Sequence, residues 1–560
     1  MKRLIECVPN FREGHDMNII EKITDEIKNT ENVKLLDVDP GKATNRTVVT
    51  FVGEPESVIE AAFKAIKKAG ELIDMSKHHG EHPRMVATDV CPLIPISGIS
   101  TSETVEFAKK LAKRVGEELN IPVYLYEEAA SQPKRKNLAT IRAGEYEGLE
   151  KKLKDPEWAP DYGKAEFNKH SGATVIGVRD FLVAYNVNLN TTSTRRANSV
   201  AFDIREKGRI KREGDPITGK IVRDENGNPV REPGTLKYVK AIGWYIEEYG
   251  IAQVSMNLTN IKETPLHIAF EEAVKSASNR GMRVTGSELV GLVPKKVMID
   301  AGNYFLEKQN RSTGIPEEDI IFIAVKSMGL DELKPFDPRK KIIEYLLEDN
   351  TQNKLVNLTA YEFANETSRE SPAPGGGSIA AYSGALGASL ATMVANLSAH
   401  KRGWDSRWKE FSEFAQKGQA IKDKLLYLVD EDTNAFNKII EAIRMPKNSE
   451  EEKSSRKEAI TKATKYAIQI PFTVMKTSFE ALPLLEYMAN KGNPNSVSDA
   501  GVGVLAVQTA VEGAYMNVVI NCKDLDDKKF VDDTLNQADK ILKETQNKSK
   551  EILKTVYSKI

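Results

Sequence analysis

The sequence predicts a multidomain chain: two α/β ferredoxin-like (βαββαβ) subdomains followed by an all-α helical bundle domain. Three observations lead there. Short β-branched runs alternate with helical patterns through the first part of the chain. The order β-α-β-β-α-β occurs twice in that part. Beyond Pro335 and Pro338 nothing alternates with period two, and the long apolar-periodic segments of a helix bundle take over. A chain of 560 residues has room for several domains of roughly 100–200 residues each. The expected limits are 1–173 and 174–330 for the two α/β subdomains, 331–356 for a linker and 357–560 for the helical domain.

The first subdomain reads as strands at Leu4–Val8, Val33–Val38, Thr47–Val52, Val86–Ile96 and Pro122–Tyr126. Helices fill Met17–Lys28, Glu56–Asp74 and Thr101–Leu119, which adds one αβ step to the split βαβ order. In the second, Thr174–Asn190 reads as a strand and Ser193–Lys207 as a helix. Strands near Val239–Ile246 and Ala252–Leu258, a helix at Leu266–Asn279, a strand at Arg283–Val293 and a helix from Lys295 complete the order. Between them Gly214–Gly234 holds an Asn226-Gly227 step with flanking alternation, the mark of an inserted surface hairpin. The third part begins with a short helix, Lys340–Leu347. Helical segments follow at Ser378–Ser398, Ser406–Ile443, Glu450–Met488, Asp499–Cys522 and Asp527–Lys559.

Composition narrows the function. Lys plus Arg total 80 and Asp plus Glu 81, so the net charge of −1 argues against a phosphate-coating nucleic-acid protein. The opening residues, MKRLIECVPNFREG, hold no apolar core long enough for a signal peptide. Cys7, Cys91 and Cys522 lie far apart and form no CxxC pair, which fits a reducing, cytoplasmic location. Ile379–Ser398 carries no charge and is long enough to span a membrane. Its Ala, Ser and Gly content favours a buried helix in tight contact with its neighbours instead. No membrane or nucleic-acid partner is expected. Small-residue helix faces fit packing between subunits, so a homo-oligomer is.

Three of the seven histidines fall within KHHGEHPRM: His78, His79 and His82. Gly80 and Pro83 prevent a regular helix, which leaves a loop between a helix and a strand. Imidazole is the side chain best suited to moving protons at neutral pH, and Glu81 and Arg84 stand beside it. A solvated basic loop after a helix end explains the same residues. Zinc is disfavoured, because adjacent histidines cannot easily turn to one ion and no His-x-x-x-His pair exists. Asp37 and Asp39 close one strand and Thr44-Asn45-Arg46 opens the next, with Gly41 in the turn; turn chemistry accounts for Asp37. Arg46 is harder to dismiss, because a guanidinium at a loop tip matches carboxylates.

Two features mark the helical part. Ser371-Pro-Ala-Pro-Gly-Gly-Gly-Ser378 precedes the uncharged helix. Gly375, Gly376 and Gly377 allow a backbone to come close to a ligand, and the helix start offers free N–H groups. A flexible linker with Ser378 as the helix cap reads equally well. In LLYLVDEDTNAFNKIIEAI, Leu425, Val429, Phe436, Ile439, Ile440 and Ile443 form one apolar stripe, and Asp432 falls on it while Asp430 and Glu431 point away. A carboxylate facing a core is costly unless paired or functional, and burial makes it a usable proton carrier. A structural buried Asp is the alternative. Asp499, in the first turn of a long helix capped by Ser498, is a weaker candidate that can simply oppose the helix dipole.

The blocks ECVPNFREG, LLDVDPGKATNRTVVTFVG, LIDMSKHHGEHPRMVATDVCP, IPVYLYEEAA, IRAGEYEGL, WAPDYG, IGWYIEEYGIAQVSMNLTN and GSELVGLVP resemble the formimidoyltransferase-cyclodeaminase family. The A-P-G-G-G-S, V-D-x-D-x-x-A-F and M-P-K-N blocks extend the resemblance into the helical part, so it covers nearly the whole chain. It implies transfer of the formimidoyl group from N-formimidoyl-L-glutamate to tetrahydrofolate, then closure to 5,10-methenyltetrahydrofolate with release of ammonia. The family's catalytic histidine maps onto His82 and its catalytic aspartate onto Asp432. Its folate-binding stretch maps onto Gly163, Lys164, Ala165, Glu166, Phe167, Asn168, Lys169, His170, Ser171 and Gly172. Polyglutamylated tetrahydrofolate is the implied co-substrate, and no metal is expected. Arg46 and Arg84 are candidates for the carboxylates of the glutamate half. The glycine-rich Gly375–Ser378 is the candidate substrate-binding turn of the helical part. The similar cyclohydrolase chemistry, or a purely oligomerising role, remains open for that part.

Overall fold

The computed structural model describes residues 3–41, 45–77, 85–214, 219–347, 354–370, 373–523 and 525–560. Contacts divide the chain into two compact units, Met1–Val297 with Met328–Glu348, and Met298–Ser327 with Asp349–Ile560. The first unit holds the sheets and the second the helix bundle. The residues between 298 and 327, which the expected limits assign to the second α/β subdomain, group with the helices. Thr313 N donates to Ser412 Oγ at 3.1 Å and Asn396 Nδ2 to Gly314 O at 2.8 Å.

Across the first sheet the strands run Val33–Gly41, Arg46–Gly53, Leu4–Cys7 with Asn10–Phe11, Thr88–Ser97, Thr174–Val178 and Val123–Glu127. Neighbours among the first four positions are antiparallel, and the last three strands pair in parallel. Three amphipathic helices, Met17–Lys28, Pro55–Leu72 and Thr101–Glu118, bury Ile23, Ile27, Val58, Ile66, Leu111 and Val115 with Ile5, Phe51 and Leu93 of the sheet. The third helix opens on a capping box between Ser100 and Glu103, a device worth about 1 kcal/mol. Cys7 and Cys91, 84 residues apart in sequence, meet with Sγ atoms 3.5 Å apart on neighbouring strands.

The expected strand Thr174–Asn190 is two strands. Thr174–Val178 completes the first sheet and Val183–Leu189 enters the second. Both sides of the break are apolar, so periodicity ran through it; only Arg179-Asp180 marks the crossing. The second sheet has the order Val239–Ile246, Ile251–Leu258, Val183–Leu189, Val284–Val290, antiparallel throughout. Helices Thr194–Ile204 and Leu266–Ser278 bury their apolar faces in this unit. Gly243 permits close packing of the first of these: a Cβ there would lie 2.2 Å from Asn198 N. The inserted segment forms short pairings, Arg209–Ile210 with Arg231–Glu232 and Arg212–Glu213 with Lys220–Ile221. Gly227, at a φ of +80°, turns its tip.

In the second unit the long helices are Gly376–Ala399, Trp408–Arg444, Glu450–Phe479, Val497–Cys522 and Lys528–Tyr557. The expected segment Glu450–Met488 is broken at Glu480–Ala481, and Pro483 lies in the first turn of the next helix, Leu482–Lys491. Gly376–Ala399 and Pro494–Cys522 are long and apolar enough to cross a membrane, and the first is mostly buried among its neighbours. Its glycines explain how: a Cβ on Gly384 would lie 2.4 Å from Ser478 Oγ and one on Gly387 2.7 Å from Val507 Cγ2. Of the apolar stripe expected on Trp408–Arg444, Leu425 and Val429 are buried and Ile439 packs half-buried on the core. Phe436 and Ile443 are exposed.

Candidate active sites

In the first unit His82 and Arg84, with His78, His79 and Glu81, lie outside the described residues. Both flanks of their loop are described, and both are tied to one segment. Met75 N donates to His170 O at 3.0 Å, Ala87 N donates to Ser171 O at 2.9 Å, and Val86 bridges Gly172. The end of the Gly163–Gly172 stretch, His170–Gly172, therefore ties Met75 to Val86 and Ala87, described residues on either side of the histidine segment. Asn168 Oδ1 accepts from the N–H groups of His170 and Ser171, each at 3.0 Å, and Asn168 O accepts from Gly172 N at 2.8 Å. Gly172 has a φ of +70°, and a Cβ there would press within 2.5 Å of Met85 O. Gly163, at a φ of +81°, fits against Ile121 O and Gly116. Phe167 packs on Tyr146, whose hydroxyl donates to Lys169 O at 2.6 Å. Lys164, Ala165 and Glu166 are exposed.

Arg46 opens its strand and faces a charge cluster that the sequence did not disclose. Arg12 Nη2 donates to Asp89 Oδ2 at 2.7 Å, and Arg142 Nη2 donates to the same oxygen. Arg12 and Asp89 are wholly buried. Burial weakens the Arg46 guanidinium's hold on its proton, Asp89 strengthens it and Arg142 opposes it. The partners stand 77 and 53 residues from Asp89, so no spacing rule could have joined them.

In the second unit the two features singled out separately come together. Ser378 Oγ lies 3.2 Å from Asp432 Oδ2 and 2.9 Å from Val429 O, and the Ser378 N–H also reaches the carboxyl. A Cβ on Gly377 would fall 2.2 Å from Asp432 Oδ1. The glycine thus lets a carboxylate approach the helix start. The N-cap is Gly375, with no side-chain cap, so Ser378 is not the cap but a buried residue of the first turn. Gly376 has more room, with Asn517 Nδ2 at 3.5 Å from its notional Cβ. Burial is the largest influence on Asp432 and raises its pKa above the usual aspartate range, against the two Ser378 bonds.

Glu431 does not point away, as helical spacing suggested. It is buried, accepts from the Tyr466 hydroxyl, and has Lys438 Nζ at 3.5 Å. Burial alone would raise it; Tyr466, Tyr427 and Asn434 outweigh that and hold its carboxyl below the ordinary glutamate value. Asp430 also has a structural partner, the Leu355 N–H at 2.7 Å. Adjacent carboxyls whose surroundings push them apart are the pattern that assigns proton-carrying and fixed roles. A cavity of about 1230 Å³ opens beyond Tyr466, lined by Lys438, Lys457, Lys462 and Lys465 as well as Glu441 and Glu458. Asp499 lies in the first turn of Val497–Cys522, whose cap position is Ser496 rather than Ser498. Among the described residues no group of three His, Cys, Asp or Glu side chains is placed to hold a metal ion.

Three family models cover the chain. The formiminotransferase domain, N-terminal subdomain, matches residues 4–179. The formiminotransferase domain matches 184–348 and formiminotransferase-cyclodeaminase 359–540. The formimidoyltransferase-cyclodeaminase of Mus musculus is 43% identical over 554 residues, covering 99% of this chain and 98% of the relative. A glutamate formimidoyltransferase from Streptococcus pyogenes serotype M1 is 42% identical over 310 residues, 55% of this chain and 95% of the relative. A methenyltetrahydrofolate cyclohydrolase from Methylorubrum extorquens is 35% identical over 204 residues, 36% of this chain and 98% of the relative.

Proposed function

This chain belongs to the formimidoyltransferase-cyclodeaminase family, and from that premise we propose how its residues divide the chemistry. It is a bifunctional folate enzyme, with glutamate formimidoyltransferase and cyclodeaminase activities and tetrahydrofolate as co-substrate. In the first reaction N5 of tetrahydrofolate attacks the amidine carbon of N-formimidoyl-L-glutamate. His82 takes the proton that N5 sheds and returns it to the departing glutamate nitrogen, a task for one imidazole near its own pKa. Gly163–Gly172 holds the folate. The backbone bonds from that stretch to both flanks of the histidine loop support this reading. The strand orders of the two sheets support two ferredoxin-like subdomains as the scaffold.

In the second reaction N10 attacks the formimidoyl carbon and its proton passes to the formimidoyl nitrogen. A second proton lets ammonia leave, and the positive charge stays on the N5–C–N10 bridge. The step consumes a proton, so the relay must be an acid that recharges from water. Asp432, raised by burial and resting on a neutral hydroxyl and N–H, fits that requirement; Glu431, held by several donors, does not. The contact between Asp432 and the glycine-rich helix start is the observation that carries the assignment. The lysine-lined cavity beside Tyr466 suits a polyglutamylated tail. Exposed Leu386, Met393 and Leu397 on one helix, and Val502, Leu505, Met516 and Ile520 on another, support a homo-oligomer. The three buried free cysteines suit a cytoplasmic setting.

Incubation with N-formimidoyl-L-glutamate and tetrahydrofolate, with methenyl absorbance and ammonia followed together, tests the whole reading. Both signals should rise in equal amounts. Failure of supplied 5-formimidoyltetrahydrofolate to give methenyltetrahydrofolate and ammonia would sink the cyclodeaminase assignment. The likeness of the helical part to a cyclohydrolase favours a second reading, hydrolysis of the methenyl bridge by the same unit. Decay of added 5,10-methenyltetrahydrofolate, faster than in buffer, would establish it.

A further inference from the structure

The charge cluster around Asp89 has a floor and a mouth. Arg12 and Asp89 are closed to solvent, while Arg142 keeps 17% of its side chain exposed. Both Arg12 and Arg142 use the same oxygen, Asp89 Oδ2. In the same cluster Asp89 Oδ1 and Arg142 Nε are shut off from water and have no hydrogen-bond partner among the described residues. A buried acceptor beside a buried donor, both unfilled, is what a polar ligand would complete.

The surroundings indicate which ligand. Asp89 follows Ala87 by two residues, and Ala87 bonds Ser171 at the end of the Gly163–Gly172 stretch. Arg142 stands just before the helix Glu145–Leu153, whose Tyr146 bonds Lys169 and packs on Phe167 of that stretch. The cluster therefore flanks the segment assigned to folate, where the second reactant of the transfer must sit. That reactant carries two carboxylates and an amidine. A guanidinium fork matches the first, and a carboxylate oxygen accepts from the second.

We infer that Arg142, oriented by Asp89, binds a carboxylate of the formimidoyl donor and so selects its glutamate half. Arg12 anchors Asp89 from below and Arg46 adds positive charge at the side. This rests on the transferase reading given above, and it adds a donor-specificity residue in Arg142, with Asp89 as its positioning residue.

Steady-state kinetics on the full chain tests it. R142Q should raise KM for N-formimidoyl-L-glutamate at least ten-fold, change kcat no more than three-fold and leave KM for tetrahydrofolate within two-fold. L-Glutamate, the product, should inhibit wild-type transfer competitively and R142Q at least ten-fold less well. R142K keeps a charge on Asp89 but loses the fork; it carries the same test should R142Q fold poorly, with donor KM raised several-fold. A donor KM within two-fold of wild type in either folded variant overturns the assignment, and so does lowered thermal stability with unchanged KM, which marks a structural ion pair. Absence of transfer by the wild-type chain would instead count against the transferase reading itself.

Discussion

Asp89 in the α/β unit is closed to water and Asp432 in the helical unit is half-buried, and their surroundings are opposite. Asp89 is gripped by two guanidiniums on one oxygen. Asp432 has a hydroxyl, a backbone N–H and a glycine that gives it room. An ion pair fixes a carboxylate in place, because removing either partner strands the other in a low dielectric. A carboxyl supported by neutral donors can change its protonation without breaking its setting. The contrast underlies the proposal that the first unit's aspartate is a fixture for binding and the second unit's aspartate a proton carrier. Glu431, next to Asp432 on the same helix, is a built-in control: tyrosines and a lysine return it to the fixed class.

This contrast can be broken at Gly377 with the largest expected effect. G377A places a methyl 2.2 Å from Asp432 Oδ1, so either the carboxyl or the helix must move. A displacement of about 1 Å at a reacting group can cost roughly 100-fold. Ammonia release from 5-formimidoyltetrahydrofolate should fall by about that factor while formimidoyl transfer stays within two-fold. Wild-type ammonia release in G377A would mean that Asp432 does not need its seat.

Ser378→Ala is a finer probe. It removes a hydroxyl that holds the Asp432 pKa down, leaving burial to raise it further. The limb of the ammonia-release pH profile that reports Asp432 should move to higher pH, with a rate loss of roughly ten-fold at the old optimum. A profile that falls in height without moving would leave Ser378 as packing alone.

A third effect is on stability, in the other unit. Burial pushes Glu6 up to about 7 from the ordinary 4.5, with Arg179 pulling the other way. Below pH 4.5 the carboxyl is protonated whether the chain is folded or not. As pH rises toward 7 the unfolded chain releases a proton that the folded chain keeps, so stability falls by ~3 kcal/mol over that window. Urea unfolding of the wild type and E6Q should show a gap that widens in favour of E6Q between pH 4.5 and 8. A gap independent of pH would contradict this account of Glu6.

Most helices and strands were legible because period and caps agree, as with Ser100 and Glu103 at the start of Thr101–Glu118. The break at 179–182 was not, since apolar residues on both sides gave one continuous reading. The interruption at Glu480–Ala481 was written in Pro483 and overlooked within a longer periodic run. Helical spacing turned Asp432 inward, where it meets Ser378, but assigned Glu431 to solvent, because burial on two sides of Trp408–Arg444 is invisible to a one-stripe pattern. Ser378 and Asp432 are 54 residues apart, so their contact, like that of Arg142 with Asp89, exists only in the fold.

The claim beneath all of this is that transfer and cyclisation use separate proton carriers. Two single variants of the full chain, each assayed for both half-reactions, test it most directly. D432N should form 5-formimidoyltetrahydrofolate from N-formimidoyl-L-glutamate at the wild-type rate and release ammonia at least 100-fold more slowly. His82→Ala should show the reverse, releasing ammonia normally from supplied 5-formimidoyltetrahydrofolate and failing in transfer. Loss of both half-reactions in either folded variant, or of neither, would contradict the account.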